Sequence, residues 1–172
     1  MEVNKLRFFT SRQLPQWDAV DIKQIVHSAI ETAIVALKGK SDAVSIAFHG
    51  DEFTIFGDES WLSHAVYNLV ENALRASTSH ATSAVEVHVD VIQQDTHVDI
   101  RVQDNGPGVV QGDERKIFKP FYTTEPGSTG LGLANVRQIV EIHGGMILAS
   151  NVPAGGAIFT LRFPRKGRSE AA

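Results

Sequence analysis

Two runs of alternating apolar residues constrain this chain more than any other feature: Val85, Val87, Val89 and Val91, then Val98, Ile100 and Val102. Side chains on a strand point to opposite faces in turn, so period two means one buried and one solvated face. With Gln94-Asp95 between them, the runs predict an antiparallel pair whose apolar face needs a cover. Helices supply it. Ile22, Ile25, Val26, Ala29, Ile30, Ala33, Ile34 and Leu37 recur at helical spacing over 20–37, with Gly39 as a stop. Leu62, Ala65, Val66, Leu69, Val70, Ala73 and Leu74 line a long helix with Asp58 as its N-cap. Leu131, Leu133, Val136, Ile139, Val140 and Ile142 form a third, stopped by Gly144-Gly145. Val44, Ile46 and Phe48, followed by Phe53 and Ile55, predict a short hairpin turning at 49–52. Strands at 146–150 and 157–163 flank a turn around Pro153–Gly156. The expected architecture is a two-layer α/β sandwich, about three helices over one mixed sheet.

At 172 residues the chain suits one domain: 1–19 as the end of a preceding helix and linker, 20–164 as the domain, and 165–172 as a tail. A net charge of −4 with no dominant basic face argues against nucleic acid. The absence of cysteine removes disulfides, thiolate metal sites and cysteine nucleophiles. No apolar stretch is long enough to span a bilayer, and the N-terminus does not read as a signal peptide, so a cytoplasmic segment is expected.

Three constellations bear on chemistry. Asn68, Asn72 and Arg75 fall at i, i+4 and i+7 on one side of the long helix. Asn and Arg are ordinary on a solvated face. They also suit a Mg²⁺–triphosphate, with carboxamide oxygen as a hard neutral ligand and guanidinium on phosphate. Asp104-Asn-Gly106-Pro-Gly108 follows a strand directly. It is strong turn chemistry in any protein, yet its carboxylate could also accept a hydrogen bond from an adenine amino group, where guanine presents an acceptor. Gly127-Ser128-Thr129-Gly130-Leu131-Gly132-Leu133 opens a helix, either as a flexible approach or as a phosphate cradle of free N–H groups. Gly39-Lys40-Ser41 is no Walker A motif, because Ile34 stands where its first glycine belongs; Asn135 breaks the dinucleotide-binding pattern.

Order and spacing are more specific than any one segment. The chain resembles the ATP-binding catalytic domain of sensor histidine kinases, in the wider gyrase–Hsp90–histidine kinase–MutL ATPase group. Residues 61–76 (WLSHAVYNLVENALRA) are similar to its N box, 104–108 (DNGPG) to its G1 box, 116–124 (KIFKPFYTT) to its F box and 127–133 (GSTGLGL) to its G2 box; Gly155-Gly156 resembles its last glycine box. The resemblance implies a Bergerat-type fold that binds ATP and Mg²⁺. Asn72 would hold the metal, Asp104 would read adenine, and Asn68 and Arg75 would approach the phosphates. Gly106 and Gly108 would floor the base pocket. Gly130, Leu131, Gly132 and Leu133 would wrap the triphosphate. Residues 109–128 would form a lid anchored by Phe118 and Phe121, with Phe121, Thr123, Thr124, Ser128 and Thr129 among the nucleotide-contacting residues. Ala76 stands where many relatives carry an aromatic that flanks the base.

Such kinases phosphorylate a histidine on a separate dimerising domain, in most relatives followed by an acidic residue. None of the seven histidines here is followed by Asp or Glu. His143 reads instead as a cation at a helix C-terminus, and His64 as a helix-face residue. The resemblance therefore implies a piece of a longer kinase: a monomer whose homodimeric parent supplies the histidine and passes the phosphoryl group to a response regulator. A serine kinase of the anti-sigma-factor type shares the fold, but usually begins its N box with Glu. The gyrase or Hsp90 clamps place a water-activating Glu at the position of Asn68, and an amide cannot serve as that base. Glu71, about 100° around the helix from Asn72, is expected to point elsewhere. A nucleotide-free binding module would not need four intact boxes.

Overall fold

The computed structural model of the chain describes residues 14–37, 43–79, 84–124 and 128–165. Strand β1 (Asp18–Asp21) leads into helix α1 (Ile22–Ala36), followed by β2 (Val44–His49), β3 (Thr54–Gly57) and helix α2 (Glu59–Ser79). Next come β4 (Val87–Gln93), β5 (His97–Asp104), a 3-10 turn at Lys116–Phe118, helix α3 (Gly132–Ile142), β6 (Met146–Asn151) and β7 (Ala157–Pro164). Five strands form one sheet in the order β2-β4-β5-β7-β6, parallel between β2 and β4 and antiparallel elsewhere. The three helices cover one face, as the two-layer reading expects. Gly39 and the Gly39-Lys40-Ser41 segment lie outside the described residues.

Each helix is started by local chemistry and held by packing. Asp21 caps α1, its carboxylate accepting from the Lys23 N–H at 2.9 Å. Asp58 caps α2 as expected: Oδ1 accepts from the Trp61 N–H at 2.9 Å. Leu62, Val66, Leu69, Val70 and Ala73 are buried against α1, α3 and the sheet. A side chain such as Leu69, with no exposed surface, makes truncation to Ala cost about 2–5 kcal/mol.

Four local expectations change. The residues around Phe48 and Phe53 do not form a hairpin. β2 pairs in parallel with β4, while β3 pairs antiparallel with β1 in a separate two-stranded sheet. The side chain of Gln93, at the end of β4, accepts from the Asp51 and Glu52 N–H groups at 2.8 and 2.9 Å, drawing the connection across the sheet end. The first helix starts at Ile22 rather than residue 20, because Val20 and Asp21 complete β1 opposite Ile55 and Thr54; that strand straddles the boundary drawn at 19/20. The outer face of β5 is not uniformly solvated. Asp99 is buried there by a two-pronged bond from Arg162, at 2.8 and 2.9 Å. Burial pushes its carboxyl up, and the Arg162 bonds and charge pull it further down.

His143 is the fourth. It is structural, as expected, but not as a cation. Nδ1–H donates to the Ile139 carbonyl at 2.7 Å, and Nε2 accepts from the Asp58 N–H at 3.0 Å, which only the neutral ring can do. Burial holds its pKa below the ordinary histidine value, outweighing the Ile139 bond and the Asp58 charge that act upward. Trp17 packs against His143, ring centroids 4.9 Å apart, and stacks on Phe56.

Candidate functional site

The N-box face of α2 is built by helical geometry. At roughly 100° per residue, Asn68, Asn72 and Arg75 share an arc of roughly 60°. Asn68 is buried; its Nδ2 donates to the His64 carbonyl at 2.8 Å, which turns Oδ1 outward. A Cβ built on Gly132 would lie 3.5 Å from that Oδ1, so the N box and the helix-opening glycine loop meet here. Asn72 is half-buried beside it. Arg75 meets a carboxylate one turn back on its own helix. Its Nη2 donates to Glu71 Oε1 at 3.0 Å, on a side chain half in solvent, while Glu71 is buried.

Asp104 ends β5 as a buried carboxylate. Oδ1 accepts from the Gly106 N–H at 2.9 Å and from the Ala157 N–H at 3.3 Å. Burial pushes its carboxyl above the usual carboxylate range, and the two backbone donors only partly offset this. Both donors use one oxygen, which leaves Oδ2 for a further donor. Gly156, at φ +91°, lets the β6–β7 turn close on Asp104: a Cβ there would sit 1.9 Å from the Asp104 carbonyl oxygen. Gly106 touches the end of the N box, since a Cβ on it would be 2.9 Å from the backbone of Ala76. Gly108 packs against the Asn151 side chain and the Gly156 carbonyl.

Asn151, which the sequence reading did not single out, clamps the next residue. Its Oδ1 accepts from the Val109 N–H and its Nδ2 donates to the Val109 carbonyl, both at 2.7 Å. The amide thus replaces a strand partner where no strand continues. Its only signal in the sequence is an Asn at a strand end before a glycine turn.

Of the two phenylalanines expected to anchor a lid, Phe118 is buried and Phe121 is not. Ile117 and Phe118 are buried, and Phe118 meets Phe159 edge-on with centroids 6.5 Å apart. Phe121 is 76% exposed and adopts φ +65°, uncommon for a residue with a Cβ. The turn that follows, closed by the Tyr122 N–H donating to the Lys119 carbonyl at 3.2 Å, redirects the chain, so the second ring leaves the core. The Phe121 N–H donates to the Gly130 carbonyl at 3.0 Å, which ties the F box to the G2 box. Gly130, at φ +63°, has no room for a side chain there: a Cβ would lie 2.6 Å from the Phe121 backbone. Asp113 braces the turn, accepting from the Tyr122 hydroxyl at 2.7 Å and the Lys116 ammonium at 2.5 Å, and these bonds hold its carboxyl below the usual range.

Of the remaining expected residues, Leu131 is buried and Thr129, Gly132 and Leu133 are half-buried at the start of α3. Thr123, Thr124 and Ser128 are exposed along the lid; Gly127 lies outside the described residues. The structure therefore joins Asn68 to Gly132, Asp104 to Gly106 and Ala157, and Phe121 to Gly130, around the same end of the helical layer. Among the described residues no three His, Asp or Glu side chains converge to hold a metal, and no helix is long and apolar enough to cross a membrane.

The family model described as "Histidine kinase-, DNA gyrase B-, and HSP90-like ATPase" matches residues 57–167, from just before the N box through the last strand. This chain belongs to that ATPase family. As a histidine kinase-type ATPase domain it binds ATP, and its relatives point the same way. It is 30% identical over 161 residues to the sensor-like histidine kinase SenX3 of Mycolicibacterium smegmatis, covering 90% of this chain and 40% of that protein. It is 37% identical over 120 residues to the signal transduction histidine-protein kinase BaeS of Escherichia coli, covering 66% of this chain and 25% of that one. The ATPase domain thus spans well under half of these curated relatives. Among solved structures, it superimposes on the mycobacterial sensor histidine kinase MprB with a TM-score of 0.74 at 24% identity, covering 88% of this chain and 99% of that one. The catalytic domain of histidine kinase ThkA gives a TM-score of 0.73 at 24% identity, covering 87% and 98%. At such identity the likeness speaks to the fold.

Proposed function

We propose that this domain transfers the γ-phosphoryl group of ATP to a histidine on a dimerising helical domain of its parent kinase, for relay to a response regulator. The observation that carries the reading is the meeting of Asn68 Oδ1 with Gly132 at one end of the site, while Asp104, Gly106 and Ala76 stand together at the other. A flat base and a triphosphate need two such ends. Oδ2 of Asp104 would accept from the adenine amino group, and guanine would present it an acceptor. The open N–H groups at the start of α3 suit phosphate oxygens.

The donor chemistry around Asn72 fits Mg²⁺ that arrives with the nucleotide: a neutral carboxamide, no cluster of three acidic or imidazole side chains among the described residues, and phosphates to complete the coordination. Bound there, the metal would neutralise developing phosphate charge. The residues of this chain would align the triphosphate and keep its terminal group facing outward. In the transfer the acceptor imidazole nitrogen attacks phosphorus, the bond to the β,γ-bridging oxygen breaks, ADP leaves, and the imidazole proton is lost. Kinase rather than hydrolase chemistry is favoured because Asn68, bonded to a backbone carbonyl, cannot take a proton from water. The domain would work on the cytoplasmic side of whatever the parent is attached to.

The test is calorimetry with ATP and GTP, with and without Mg²⁺, followed by phosphotransfer to a separately supplied histidine-bearing dimerisation domain. Binding of ATP but not GTP, strengthened by Mg²⁺, with acid-labile phosphate appearing on the supplied domain, is the expected result. Acid-stable phosphoserine on a protein substrate would support the serine kinase reading instead, and ATP hydrolysis at many turnovers without acceptor would refute the kinase assignment.

A further inference from the structure

Around α2 the side chains of the N box follow a definite order. With Asn68 as origin and roughly 100° per residue, Ala76 lies near +80°, Asn72 near +40°, Arg75 near −20°, Glu71 near −60° and Tyr67 near −100°. Ala76 marks the base end, through its contact with Gly106. Glu71 and Tyr67 stand on the opposite flank, behind Arg75. Glu71 is a carboxylate with 7% of its side chain exposed, next to a guanidinium with 48% exposed. It accepts from Arg75 Nη2 at 3.0 Å. The Arg75 contact is end-on through Nη2 alone, so most of the guanidinium donors are not consumed by it.

We infer that Glu71 is a positioning residue for Arg75: fixed by its burial in the helical layer, it holds the guanidinium on the phosphate side of the N-box face with its free donors directed to the nucleotide. This rests on the nucleotide-site reading above. A long side chain left loose would have to be ordered at the moment of binding, at a cost in rotamer entropy; a buried carboxylate already bonded to it meets part of that cost before ATP arrives. The part that matters is Glu71's acceptor geometry. Its charge by itself opposes an incoming polyphosphate.

Those two properties separate in variants. Glu71→Met keeps length and removes the acceptor; Glu71→Gln keeps the acceptor and removes the charge. Calorimetry on the 172-residue chain with ATP and with adenosine, alongside Arg75→Met and the double variant, gives the test. Glu71→Met weakens ATP about threefold to fivefold, as for a partly exposed ion pair, and leaves adenosine unchanged. Glu71→Gln recovers ATP affinity to within about twofold of the parent. In the Arg75→Met background, Glu71→Met changes nothing further. Equal loss of ATP and adenosine, tighter ATP binding by both Glu71 variants, or additivity with Arg75→Met would overturn the inference. Failure of the parent chain to bind either ligand would sink the nucleotide-site reading instead. Should Glu71→Met not fold, the ¹⁵N resonances of the Arg75 guanidinium in the parent chain decide. Slowed rotation before ATP is added supports pre-positioning, and free rotation refutes it.

Discussion

Asp104→Asn separates the carboxylate oxygen proposed to read the base from the one that holds the fold. In the parent, both backbone donors, Gly106 N–H at 2.9 Å and Ala157 N–H at 3.3 Å, go to Oδ1. An asparagine can keep its oxygen there and accept both. The change falls on the second position, where an oxygen becomes an NH₂ group facing the adenine amino group. One charge-assisted hydrogen bond is lost, worth about 1.5–3 kcal/mol, and two donors are set against each other. ATP affinity should fall about tenfold to a hundredfold or more, read by calorimetry. Stability should move the other way. Burial raises the Asp104 pKa, so its ionised form is disfavoured in the folded state; its favourable contribution is present at acid pH and is lost as pH rises through the folded value. The variant, which cannot ionise, should therefore melt at or slightly above the parent at pH 8, the difference closing toward pH 4. Unchanged ATP affinity would refute Asp104 as the base reader. A neutral-pH melting temperature lower by more than about 5 °C, corresponding to more than ~1 kcal/mol, would refute the division of labour between its two oxygens.

Other perturbations follow from the same geometry. Phe118→Ala should cost about 3–5 kcal/mol in denaturant unfolding, whereas Phe121→Ala should cost under about 0.5 kcal/mol, because only the first ring is buried. Phe121→Gly should raise the melting temperature slightly, since relief at φ +65° exceeds the added chain entropy. Asn151→Ala should leave global melting within a few degrees while speeding amide exchange at Val109, whose N–H it alone ties to β6. His143 carries a lowered pKa in the folded state, so its stabilising contribution is present above the unfolded value near 6.5 and is lost as pH falls through the folded one; an acid-side loss of stability should be reduced in His143→Gln.

The strand pair β4–β5 and the three helices were legible because their apolar periods are written locally, at Val87, Val89 and Val91 and at Leu62, Val66 and Leu69. Asp104 and Asn68 were legible because the boxes carry them at fixed spacing. The β2–β3 relationship was not, since two short alternating runs with a turn between them are compatible with pairing to each other or to distant partners. The choice here depends on β1, β4 and Gln93, none of which is nearby in sequence. Phe118 and Phe121 look alike in sequence; the 3-10 turn at Lys116–Phe118 holds the first inward, and the turn from Lys119 to Tyr122, with Phe121 at φ +65°, puts the second outside. The partner of Arg75 was open to the i, i+4 rule, which puts Glu71 within reach, but phosphate and carboxylate are alternatives that spacing cannot rank. His143 was placed correctly at a helix end and misjudged in charge, because its acceptor role depends on Asp58, 85 positions away in the chain.

The sheet order carries a consequence for how such a domain is made. Among the described strands β7 comes last in chain order, yet it lies between β5 and β6, with neighbours on both sides. Its first residue, Ala157, supplies one of the two donors to Asp104, and the turn before it closes over the Asp104 carbonyl. A nascent chain that has released everything through β6 therefore owns a helical layer and all four boxes but no finished sheet and no fixed base reader. Contacts spanning this much sequence fold slowly compared with local ones. Ribosome-bound or truncated forms ending before residue 157 should be unable to capture nucleotide, so the parent would acquire its phosphoryl donor only after this closing strand has left the exit tunnel.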